Sequence, residues 1–91
     1  MVLTILGRRW FDRTGGNTYH TTVAYADGEL VGKSPMTYGY GDQWLVTGAE
    51  ILADAGKLPD YTGEPLWQYV DTHPDVTLVK SVTDVARKGD L

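Results

Sequence analysis

In the first third of the chain, side-chain character alternates with a period of two. Across residues 3–11, Leu3, Ile5 and Phe11 fall on one face of an extended strand, with Leu6 and Trp10 on the other. Arg13-Thr14-Gly15-Gly16-Asn17 breaks the pattern, and its glycines and asparagine supply the positive φ angles of a hairpin loop. Residues 18–26 give the clearest strand, with Tyr19, Thr21, Val23 and Tyr25 alternating against Thr18, His20, Thr22 and Ala24. Asp27-Gly28 is a two-residue turn signal, so residues 29–33 return as a third antiparallel strand, ended by Ser34-Pro35. Residues 36–41, Met-Thr-Tyr-Gly-Tyr-Gly, read as a loop or short extended piece whose glycines take unusual backbone angles.

After Asp42, placed as an N-cap, the period becomes helical. Trp44, Leu45, Gly48, Ile51, Leu52 and Ala55 form one apolar stripe over a helix at 43–55, stopped by Gly56 and Pro59. Gly48 lies on that stripe at a cost of about 1 kcal/mol in helix propensity relative to alanine, which predicts a close approach there, most simply by the sheet. Pro65 opens a second, shorter helix containing Leu66, Trp67, Tyr69 and Val70, ended at Thr72-His73-Pro74. Residues 76 to about 86 alternate well enough for a closing strand, although 84–88 also read as a frayed helix, and 87–91 form a mobile tail. The expected fold is α+β: a single antiparallel sheet of three to four strands, with one long and one short helix packed on one face, in the order β-β-β-α-α-β. Residues 1–91 make a single domain.

Composition narrows the function classes. The chain is 42% apolar, too much for a disordered polymer, and no run approaches the roughly 20 apolar residues of a membrane span. Without cysteine, disulfides and cysteine-based metal sites are excluded. The first residues are too few and wrongly ordered for a signal peptide, which points to the cytoplasm. The net charge is −4, with three of the eight basic residues within the first thirteen positions. Long-range attraction to nucleic acid is therefore not expected, while a local basic patch is compatible with this distribution.

Little in the sequence supports catalysis. His20 and His73 lie far apart and neither has a partner at metal-ligand spacing, so no metal site is expected. Neither Ser34 nor Ser81 stands in a nucleophile motif, and no catalytic residue is assigned. Gly39-Tyr40-Gly41 before a helix lacks the lysine and hydroxyl of a phosphate-binding loop, so no cofactor is expected. The aromatics stand out instead. Trp44 and Trp67 fall on helical stripes and read as core, whereas Tyr38 and Tyr40, in a glycine-flanked loop near Arg8 and Arg9, read as contact residues. The expected contact set is Arg8, Arg9, Trp10, Tyr19, His20, Tyr38 and Tyr40.

The segments Arg8-Arg9-Trp10-Phe11, Gly16-Asn17-Thr18-Tyr19-His20 and Tyr38-Gly39-Tyr40-Gly41-Asp42-Gln43-Trp44 together resemble a family of small uncharacterised proteins encoded by tailed bacteriophages. The resemblance covers roughly residues 5–58 and implies phage origin and location in the host bacterial cytoplasm. It brings no catalytic residues. The reading that follows is a phage accessory protein that binds a host or phage protein, with a nucleic-acid-binding regulator using an Arg/Tyr surface as the alternative. A homodimer is also expected, because helices on one side leave Leu6 and Trp10 to protect on the other.

Overall fold

The computed structural model describes residues 1–91 and gives each predicted element a counterpart. Two long strands, β1 (Val2–Asp12) and β2 (Asn17–Ala26), pair antiparallel from Leu3 opposite Ala26 to Asp12 opposite Asn17. The Asp12 carboxylate organises the connecting loop by accepting from the Thr14 and Gly15 amides at 3.1 and 3.3 Å. At the other end of β2, Asp27 and Gly28 both have positive φ, 50° and 82°, the geometry that matches a tight turn to the twist of its strands. Asp27 also fixes the start of β1, since its carboxylate accepts from the Val2 amide at 2.8 Å.

The third strand, β3 (Glu29–Lys33), and a two-residue strand, β4 (Thr37–Tyr38), share the outer edge of β2. Pro35 cannot donate to a ladder. The gap is bridged by Ser34, whose amide donates to the Thr22 carbonyl and whose hydroxyl accepts from the Thr22 amide. The segment expected as a loop or short extended piece is thus extended at its start.

The two helices are α1 (Gln43–Asp54) and α2 (Leu66–Asp71), and the last strand is β5 (Thr77–Val85). Asp42 occupies the N-cap position of α1, but its side chain makes no capping hydrogen bond. Strand order is β3-β2-β1-β5, and β5 runs parallel to β1 from Val2 opposite Thr77 to Trp10 opposite Val85. The sheet is therefore mixed and has five strands, which corrects the expected all-antiparallel sheet. Its cause is the helical crossover: α1 carries the chain from the β1–β2 hairpin back to the end where β1 begins, so the next strand repeats the direction of β1. Met1 marks the junction, its amino group donating to the Asp75 carbonyl at 2.7 Å and its carbonyl accepting from the Thr77 amide at 2.9 Å.

The helices cover one face of the sheet. Leu3, Ile5, Ala24, Ala26 and, from α1, Trp44, Ala49 and Leu52 are buried there, joined by Leu58, Leu66, Tyr69 and Val76. Contact between α1 and the sheet is close enough to require glycine on both sides. A β-carbon at Gly48 would stand 2.5 Å from Ile5 Cγ2, and one at Gly7 would stand 2.7 Å from Trp44 Cε3. The close approach predicted at Gly48 is made by the sheet. Trp44 is core as expected, whereas Trp67 is 66% exposed. A six-residue helix buries positions i and i+3, here Leu66 and Tyr69, which turns position 67 outward. No helix is long and apolar enough to cross a membrane.

Candidate binding surface

The period of two sorts the expected contact residues between the two sheet faces. Arg8 and Trp10 share the parity of Leu6 and face away from the helices, whereas Arg9 shares the parity of Ile5 and Gly7. On β2 the same rule sends Tyr19, Thr21, Val23 and Tyr25 to the open face and buries His20, Thr22 and Ala24.

Register then assembles an aromatic ladder. Trp10 lies opposite Tyr19, and Tyr19 lies opposite Tyr38 on β4. The Trp10 and Tyr19 rings stack with centroids 5.9 Å apart and planes 25° apart, and Tyr38 meets Tyr19 edge-on at 5.9 Å and 74°. Both arrangements suit the ring quadrupoles, each contributing about 0.5–1.5 kcal/mol beyond the area buried. Tyr38 is nonetheless 60% exposed and Tyr40, two residues on, 76% exposed. Next to the ladder, Arg8 stands opposite Thr21, and its Nη1 donates to the Asp90 carbonyl in a 3₁₀ turn at Lys88–Asp90. A shallow groove of about 660 Å³ continues along the same face, lined by Leu6, Arg8, Thr21, Val23, Tyr25 and Lys33 among others. Threonine and serine alternate with the apolar residues there, as in a sheet with one solvated face.

Two members of the expected contact set are not on this surface. Arg9 is committed to the fold: Nε and Nη2 bond the two carboxylate oxygens of Asp84 at 2.7 and 3.2 Å, and Nη1 donates to the Gly41 carbonyl at 2.9 Å. That bidentate fork ties β1 to β5 and to the loop before α1. His20 is wholly buried. Its Nδ1 faces the Gly39 carbonyl at 3.3 Å, which can only accept, so the proton is assigned there; Nε2 then accepts from the Thr47 hydroxyl at 2.6 Å. No carboxylate is among its partners. Arg9 and His20 thus hold the Gly39-Tyr40-Gly41 turn from below, while Arg8, Trp10, Tyr19 and Tyr38 gather on the open face.

A second exposed apolar region was not expected. Trp67 and Val46 stand out beside a groove of about 360 Å³ between α1, α2 and β5, lined also by Leu45, Ala49, Leu78 and Lys80. Trp67 reads as core in the sequence, but the buried pair Leu66 and Tyr69 is spaced i and i+3, and that spacing is the signal in the sequence that leaves position 67 outside the stripe. No three His, Asp or Glu side chains converge to hold a metal ion. Comparison with known protein families, with characterised proteins and with solved structures finds no match for the chain.

Proposed function

We propose that the protein acts by binding rather than by catalysis, as a small phage-encoded accessory protein that engages a host or phage protein in the host cytoplasm. The observation that carries this reading is the aromatic ladder of Trp10, Tyr19 and Tyr38 with Arg8 at its side, with Tyr40 exposed two residues further along the chain. Tryptophan, tyrosine and arginine are the residue types in which binding hot spots are richest. Strand pairing already fixes three of the rings, so little rotamer freedom is lost on association.

A nucleic-acid partner is the second reading, favoured by Arg8 and Lys33 on the same face as rings on which bases stack. Against it, Arg8 and Arg9 have opposite parity, Arg9 is already paired, and the net charge is −4. Affinity capture from infected cells, with wild type and a Tyr38→Ala/Tyr40→Ala double variant run side by side, tests the choice. The expected result is one specific protein retained by wild type and lost by the variant. Recovery of nucleic acid with steep salt dependence, or equal recovery by both baits, overturns it.

A further inference from the structure

Strand β5 ends the sheet on one side with no neighbour beyond it. The Thr77 amide bonds the Met1 carbonyl, so the odd residues of β5 turn their backbone groups to β1, and the even ones, Leu78, Lys80, Val82 and Asp84, turn theirs to the free edge. An open row of this length invites another strand. The usual protections are sparse, since residues 77–85 contain no proline and pair with β1 without a register shift. Only two charges interrupt the row, Lys80 and Asp84, of opposite sign and placed symmetrically about Val82.

We propose that β5 pairs antiparallel with the β5 of a second copy, with the two-fold axis at Val82. In any antiparallel pairing here, even residues bond even residues. Centring on Val82 sets Lys80 opposite Asp84 of the second copy, twice by symmetry, and forms the hydrogen-bonded pair Val82–Val82 on the axis. Centring on residue 80 or 84 sets like charges face to face, and centring on 81 or 83 sets each charge against an apolar side chain. The charge pattern therefore selects one register. Asp84 remains 72% exposed while bound to Arg9, which leaves its carboxylate accessible to a second cation. The groove bearing Trp67, Val46 and Leu78 borders the same edge and supplies apolar surface beyond the backbone bonds. The product is one continuous ten-stranded sheet with the helices of both copies on one side.

Sedimentation of the full chain across micromolar concentrations tests this pairing. Wild type is expected at twice the 10.0 kDa chain mass. Lys80→Glu, which opposes Asp84 in both pairs, is expected to weaken association at least about tenfold, the factor that about 1.4 kcal/mol gives. Val82→Pro removes an amide that points to solvent in the single chain and, with it, the packing of the Val82 side chain against the core, so it is expected to lower the melting temperature no more than Val82→Ala does while abolishing the dimer. Because the chain has no cysteine, register is read directly: Val82→Cys crosslinks under mild oxidation, whereas Ser81→Cys and Thr83→Cys do so poorly. A wild-type monomer at high micromolar concentration, a dimer indifferent to Lys80→Glu and Val82→Pro, or preferential crosslinking through position 81 or 83 overturns the proposal.

Discussion

Gly39 and Gly41 bracket Tyr40 with backbone angles, φ 155° and 61°, that side chains rarely adopt. A β-carbon at Gly39 would also overlap Gln43 Cγ and stand 3.1 Å from His20 Cε1, whereas one at Gly41 meets open space. Gly41→Ala is therefore expected to destabilise by about 1 kcal/mol through backbone strain, and Gly39→Ala by more. Tyr40→Ala removes a ring that is mostly exposed, so its thermal melt should shift little, whereas Tyr38→Ala also gives up the edge-on contact with Tyr19 and about 0.5–1.5 kcal/mol; partner affinity should fall by about 2 kcal/mol for each. Tyrosine variants that unfold the domain would assign the rings to the core instead. Elsewhere, Tyr69 is fully buried, stacked on His73 at 3.9 Å, and donates its hydroxyl to the Pro59 carbonyl at 2.9 Å. Burial pushes its pKa above the ordinary 10.0, with Asp60, Asp75 and Glu64 adding to the effect, and burial also raises Tyr61. A raised folded-state pKa means that this stability is complete below pH 10 and is lost as pH climbs through the folded value. Melting temperature should thus fall above about pH 10. In Tyr69→Phe that alkaline decline should be shallower, after a loss of about 0.5–1.5 kcal/mol at neutral pH. At this scale the site was partly legible. Alternation separates Tyr19 from His20 and Arg8 from Arg9, but which face the helices cover depends on packing between distant segments, so His20 and Arg9 were grouped with residues on the other side.

Among the elements, α1 gives the sharpest case of packing overruling propensity. Alanine at position 48 would improve helix propensity by about 1 kcal/mol. Its methyl group would press on Ile5 at the fully buried centre of β1, and overpacking costs about 1–3 kcal/mol. Gly48→Ala is accordingly expected to lower stability in urea denaturation, and Ile5→Ala in the same chain should relieve part of that loss, so that the two effects are not additive. The positions of the strands and helices were legible because each has an unambiguous period and a chemical stop: Asp27-Gly28 after β2, Pro35 after β3, Gly56 after α1. Strand direction was not, because β5 alternates in the same way whether it runs with β1 or against it. The information lies in the crossover, which reverses the chain once through the helices and leaves β5 parallel. The brief β4 was hard to see for a related reason, since two residues carry no period and their pairing with Tyr19 and His20 is set by the Ser34 bridge.

At the scale of the whole molecule, the sheet joins the two extremes of the chain. The antiparallel pairs β1–β2 and β2–β3 close through short turns, whereas β5 reaches β1 only across a sequence separation of 74 between Met1 and Asp75. Loop-closure entropy favours the hairpins as the early structure. Ala24→Gly, at the buried centre of β2, is therefore expected to slow folding in stopped-flow chevrons, while Leu78→Ala in β5 mainly accelerates unfolding. A folding rate that responds more to Leu78 than to Ala24 would reverse this order. The late partner of β1 has a further consequence during synthesis. At about 5–20 residues per second, roughly 4–15 s pass between the appearance of the first strand and that of the segment that covers its flank. Until that segment emerges, the edge of β1 opposite β2 stays unpaired, and protease resistance of the nascent chain is expected to rise as β5 leaves the ribosome.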